Sequence, residues 1–161
     1  MKDVLKKERV VVICQGRGTY TKETLGYLKK FRPNQDQFIN TLDDKRLAVG
    51  MPTLTALDEE PIFKPQLHTK GENASALIYA CSYADFLNLD TKKYDVVAVT
   101  GNSMGWYIAL AAAGVLNVPA AFDVINTMGS MMKEQLIGGQ IIYPLINENW
   151  QQLPARKEML D

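Results

Sequence analysis

The chain is poor in the residues that most often carry chemistry. Its 161 residues include one histidine, His68, and two cysteines, Cys14 and Cys81. No C-x-x-C occurs, so neither a zinc site nor a redox pair is suggested. Both cysteines fall in apolar segments far apart in sequence and are expected as buried free thiols, the usual state in a reducing compartment. Charge of one sign is lacking too: 18 Lys and Arg balance 18 Asp and Glu. A balanced chain with no basic stripe interleaved with aromatics offers no footprint for nucleic acid or an anionic membrane. Long apolar runs are missing. M-K-D-V-L-K-K-E-R opens the chain without the apolar stretch of a signal peptide. The longest run, around Ala109 to Val115, contains Gly114 and is too short to span a bilayer. A soluble, cytoplasmic protein with one core is expected, and 47% hydrophobic residues suit that class.

What the chain does have is concentrated between Tyr94 and Leu116. A β-branched apolar run, Val96 to Thr100, ends in Gly101-Asn102-Ser103-Met104-Gly105, and good helix formers follow from Trp106 to Ala113. Strand, G-x-S-x-G and helix, in that order, is the setting of a nucleophile elbow. A serine on so sharp a turn is held in strained geometry, and Gly101 and Gly105 remove side chains that would collide. The helix start aims free N–H groups at whatever binds beside Ser103. The plainer alternative is a tight turn whose serine only caps the helix.

Elsewhere the pattern alternates strands and helices. Arg9 to Cys14 is a continuous β-branched run, expected as a strand buried on both faces. Gln15-Gly16-Arg17-Gly18 follows it, then a helix from about Thr21 to Lys30. The Gly-x-Gly lacks the third glycine and the later acidic residue of a dinucleotide site. Phe31 to Pro65 is aperiodic and broken by prolines, so only short helical pieces are expected there. Its charged patch, Asp43-Asp44-Lys45-Arg46, reads as a solvated face. Ala76, Leu77, Ala80, Tyr83, Ala84 and Leu87 give Glu72 to Leu87 helical spacing, with its apolar face on the sheet. After Gly114 and the turn Asn117-Val118-Pro119, a helix is expected from Ala120 to Leu136, its methionines in the core. Gly138-Gly139 breaks the chain, Gln140 to Ile146 reads as an edge strand, and Asn147 as the cap of a last helical piece.

Two motifs in this order resemble the malonyl-CoA:acyl-carrier-protein acyltransferase family, which includes the acyltransferase domains of fatty-acid and polyketide synthases. I-C-Q-G-R-G stands where that family has a strand and a G-Q-G-S-Q-like loop, and G-N-S-M-G-W where it has G-H-S-x-G-E. A-L-A-A-A-G-V-L-N-V-P-A-A-F-D-V-I is similar to its helix, pause and next helix, and E-N-A-S-A-L-I-Y-A to its T-Q-P-A helix start. The likeness runs from about Arg9 to Ile146, loosely over Phe31 to Pro65.

The resemblance implies an α/β fold, a mostly parallel sheet flanked by helices. Residues 1–138 would be the large subdomain, and 139–161 the beginning of a ferredoxin-like small one. It implies an acyl group passed from acyl-CoA through a Ser103 acyl-enzyme to the phosphopantetheine thiol of an acyl carrier protein, with no other cofactor or metal. The backbone N–H groups of Gln15 and Met104 would form the oxyanion hole.

This chain also departs from the family. Asn102 replaces the elbow histidine, and Met128 stands where the family's carboxylate-binding arginine is found, so an uncharged acyl group is expected. Asn73-Ala74-Ser75 loses a glutamine amide, and Trp106 replaces a glutamate at the pocket rim. The family's base histidine lies beyond the part that this chain resembles. His68 is expected to be exposed or to anchor a loop rather than to serve as the base. An open sheet edge is expected, covered by a second chain or a homodimer partner. The alternative functions are a thioester hydrolase and a non-catalytic binding or oligomerisation module.

Overall fold

The computed structural model describes residues 6–131 and 143–158, with side chains given for all of these but Arg32. Two strands, β1 (Glu8–Cys14) and β2 (Tyr94–Gly101), pair in parallel, with Cys14 opposite Gly101. The register shifts between Val10 and Val11, so that Val97 is the extra residue. Helices flank this small sheet, and the fold is mixed α/β.

The expectation that β1 is buried on both faces fails. Cys14 is buried, but Val11 is 55% and Ile13 73% exposed. Strand side chains alternate, and among the described residues only one face of β1 is covered.

The core is helical. Helix α1 (Arg32–Ala48) starts with a proline in its first turn and kinks at Gln35 (φ −136°). It is followed by α2 (Leu54–Asp58), α3 (Pro65–His68) and α4 (Gly71–Leu87). The aperiodic stretch therefore holds a 17-residue helix, longer than the short pieces expected. Proline is compatible with the first turn because the N–H it lacks has no intrahelical partner there. Conversely, the helix expected over Thr21 to Lys30 reduces to 3₁₀ turns at Lys22–Thr24 and Leu28–Phe31, split by Gly26 at φ +80°.

Helix α4 does not lie with one face on a sheet. Asn73 to Cys81 is buried without interruption, the mark of a helix surrounded on all sides. Helices α5 (Gly105–Ala112) and α6 (Val118–Ser130) pack against it, together with α2. The closest approach is at Gly71 and Gly129, where a Cβ on Gly129 would meet the Gly71 carbonyl at 2.6 Å. Gly114 (φ +71°) ends α5, and the Asn117 side chain caps α6 through the Ala120 N–H at 2.9 Å.

The expected methionine core does not form among the described residues. Met128 is 38% and Met131 65% exposed; Met132 and Leu136 lie outside the described residues. So do the Gly138-Gly139 break and residues 140–142 of the expected edge strand. Tyr143 to Ile146 forms no strand. Ile146 makes a single antiparallel bridge to Gln152. Asn147 caps no helix: its side-chain oxygen accepts from the N–H groups of Asn149 and Gln151, closing a turn before α7 (Pro154–Glu158). Among the described residues no helix is long and apolar enough to cross a membrane.

Candidate active site

The parallel pairing of β1 with β2 brings the loop after each strand to the same end of the sheet, where open α/β folds hold their sites. The Asn102 N–H donates to the Cys14 carbonyl at 3.1 Å, which ties the two loops together. Ser103 follows with φ +52°, a left-handed conformation that serine adopts only when its surroundings impose it. The surroundings are backbone. A Cβ on Gly101 would overlap the backbone of Gly105, and one on Gly105 would overlap the Cys14 carbonyl. Gly16 closes the other side, where a Cβ would meet the Asn102 carbonyl at 2.9 Å and the Ser103 Cβ at 3.4 Å. The two glycines of G-x-S-x-G are thus steric necessities, and Gly16 makes a third.

Ser103 does not cap α5. No side chain caps that helix, and Met104 stands at the cap position. Among the described residues the backbone N–H groups of Gln15 and Met104 make no hydrogen bond, so both are free to donate. Asn102 is exposed; its N–H is used on the Cys14 carbonyl, and its carbonyl accepts from the Gly105 N–H.

Ser103 opens into a cleft of about 180 Å³ lined by Arg17, Ser75, Met104, Tyr107, Met128 and Gly129. Met128 is among its lining residues. Trp106 is not: it is 57% exposed, and its neighbour Tyr107 takes the pocket position. Gln15 instead lines a separate cavity of about 260 Å³ with Tyr27, Cys81 and Asp85. The sequence expectations include Ser75 only as part of Asn73-Ala74-Ser75 and give Arg17, Tyr107 and Gly129 no place in the cleft. Arg17 was findable, since it follows Gln15 in the loop at the carboxyl end of β1. Ser75 and Gly129 depend on how α4 crosses α6, which no local pattern encodes.

His68 is far from the exposed role allowed for it. It is fully buried, stacked at 4.8 Å on Phe63 and at 6.2 Å on Tyr20. Its Nδ1 accepts from the Lys64 N–H at 3.0 Å, and its Nε2 lies 2.9 Å from the Leu57 carbonyl, to which that tautomer donates. Both ring nitrogens are occupied, and the ring anchors a loop. The charged patch is corrected as well: Arg46 is fully buried and Asp43 8% exposed. Arg46 donates to the carbonyls of Pro52 and Glu72 and to Asn73 Oδ1. Asp43 accepts from the Leu54 N–H and the Thr55 hydroxyl. Asn73 therefore serves the core, while Ser75 reaches the cleft.

Both cysteines are free and buried, and burial pushes their thiols up, away from reactivity at neutral pH. Among the described residues no group of three or more His, Cys, Asp or Glu could hold a metal ion. Compared with protein-family models, curated proteins and solved structures, the chain matches none.

Proposed function

We propose that the chain is a serine acyltransferase related to the malonyl-CoA:acyl-carrier-protein type, acting on the acyl thioesters of fatty-acid or polyketide biosynthesis. The observation that carries this reading is Ser103 itself, a serine at φ +52° on a strand-to-helix turn that three glycines allow to form. In the proposed reaction Ser103 Oγ attacks the thioester carbonyl, and the oxyanion accepts hydrogen bonds from the free Met104 and Gln15 N–H groups. The CoA thiol leaves, and the thiol of a carrier protein then attacks the acyl-serine and takes the acyl group. On this reading residues 1–138 are the large subdomain of that fold and 139–161 the start of the small one.

The proton of Ser103 needs an acceptor. Among the described residues no histidine, carboxylate, lysine or cysteine lines the cleft to take it. The reading therefore includes a base brought by residues outside the described set or by a second chain. The exposed Val11 and Ile13 would give such a chain an apolar face to cover.

A second reading, a binding or oligomerisation module that no longer turns over, is favoured by the engagement of both His68 nitrogens away from Ser103. Intact-mass spectrometry after incubation with acetyl-, malonyl- and longer acyl-CoA decides between them. A covalent mass gain that is lost in Ser103→Ala supports the acyl-enzyme. No gain from any donor leaves the binding module. A gain that decays in water, with none passed to a thiol, indicates a hydrolase.

A further inference from the structure

The Ser103 cleft is lined by Met104 and Met128 and by donors. Arg17 contributes a guanidinium, with Ser75 and Tyr107 contributing hydroxyls. Among the described residues no carboxylate lines it. Among the described residues Arg17 makes no ion pair and no side-chain hydrogen bond. Ser75 is 2% exposed, and its hydroxyl makes no hydrogen bond to the described residues either. Lining the cleft as it does, that hydroxyl is placed to donate to a group bound there.

Arg17 is exposed, and it lines the same cleft as that hydroxyl. A Cβ on Gly71 would lie 3.2 Å from Arg17 Nη1, and a Cβ on Gly129 would lie 2.9 Å from Ser75 Oγ. Two glycines thus clear the space around the two donors. Arg17 follows Gly16, which is packed against Asn102 and Ser103, so its backbone is placed beside the Ser103 turn. It also lines a groove of about 530 Å³ together with Lys22, Thr21 and Phe63, and so stands between the small cleft and the larger groove.

We infer that Arg17 and Ser75 form an oxyanion-binding subsite beside Ser103, which selects a substrate carrying a carboxylate or a phosphate close to the reacting carbonyl. The guanidinium matches either group with two parallel hydrogen bonds, and the Ser75 hydroxyl supplies a third donor. Met128 alone suggested an uncharged acyl group. The cation comes instead from another element, the loop after β1. The selectivity part of this inference rests on the acyl-enzyme reading; the anion subsite itself does not.

Two experiments test it, of which only the second needs Ser103 to react. In the first, succinate, inorganic phosphate and the uncharged succinamide are titrated into the full chain while the Arg17 side-chain Nε–H resonance is followed by NMR. Saturable shifts with one or both anions and none with succinamide are expected, with binding weakened about tenfold in Arg17→Gln and in Ser75→Ala. Should Arg17→Gln not fold, Arg17→Lys keeps the charge, loses the fork, and is expected to weaken binding as well. No saturable shift in the native chain, or equal binding by the folded variants, overturns the subsite.

In the second experiment, acylation rates are compared for succinyl and butyryl thioesters of N-acetylcysteamine, neither of which carries phosphate, and for butyryl-CoA, which does. If the anion is on the acyl group, Arg17→Gln lowers the succinyl-to-butyryl ratio about tenfold; if it is on the carrier arm, the CoA-to-cysteamine ratio falls instead. Ser103-dependent adducts with both ratios unchanged overturn the selectivity. No adduct from any donor overturns the acyl-enzyme reading, and the titration alone then decides the anion subsite.

Discussion

Two groups of polar side chains lie within this small fold, one among helices α1 to α4 and one around Ser103. In the first, Arg46, Asn73, Asp58 and His68 are buried and bonded. Arg46 has three acceptors, His68 two partners, and Asp58 accepts from the Tyr20 hydroxyl and the Leu28 N–H. In the second, Arg17, the Ser75 hydroxyl and the Gln15 and Met104 N–H groups are left without partners among the described residues. Charge and residue type do not separate the groups, since each contains an arginine. Satisfaction does. A buried polar group with all its bonds made stabilises one structure, whereas an open donor facing a cavity is available to a ligand.

This contrast can be broken by substitution. The largest effect should come from Arg46→Ala, which strips the Pro52 and Glu72 carbonyls and Asn73 of a charged donor. We expect a loss of about 3–5 kcal/mol in urea unfolding. The equivalent change at Arg17 should cost under about 0.5 kcal/mol, since nothing in the described fold relies on it. A similar loss at both arginines would erase the distinction.

Asp58→Asn should come next, at about 1–3 kcal/mol, because an amide cannot accept from both Tyr20 and Leu28. It also has a pH signature. Burial raises the Asp58 carboxyl, outweighing the hydrogen bonds that lower it. The folded chain then holds this proton more tightly than the unfolded one. Its contribution is full below the unfolded pKa and is lost as pH rises through the folded value. Unfolding free energy measured across the acid range should show that downward slope in the native chain and a flatter line in Asp58→Asn.

His68→Leu removes two hydrogen bonds and should cost about 2 kcal/mol. Any Ser103 acylation should persist per folded molecule, as read by intact mass beside circular dichroism. Loss of acylation in a well-folded variant would instead make His68 the base. The smallest effect expected is at Ser103→Gly, a gain of about 0.5–1 kcal/mol in thermal unfolding, since glycine accepts φ +52° without strain. A loss there would mean that the turn does not store strain.

Several features could be read directly from the residues. β2, the elbow, α5, the Gly114 stop and the Asn117 region follow local rules of period, turn chemistry and capping. So did the adjacency of Gln15 to the elbow, because strands that end at one side of a parallel sheet present their loops together. The charged patch misled. Asp43 and Arg46 belong to a helix whose polar face turns inward onto other polar groups, a choice that spacing cannot reveal. Thr21 to Lys30 misled in the opposite way, since Gly26 and the Asp58 contacts hold it in turns. The methionines at positions 128 and 131 are less buried than their apolar character suggested.

The backbone of the Ser103 turn is encoded locally. G-N-S-M-G after a β-branched run permits a conformation that other residues would forbid, and the reason is steric and local. What faces that serine is set by packing between distant segments. Arg17 comes from one loop, Ser75 from α4, and Tyr107, Met128 and Gly129 from α5 and α6. Their meeting depends on the glycine contact between α4 and α6 and on the pairing of β1 with β2, which are packing relations between segments distant in the chain.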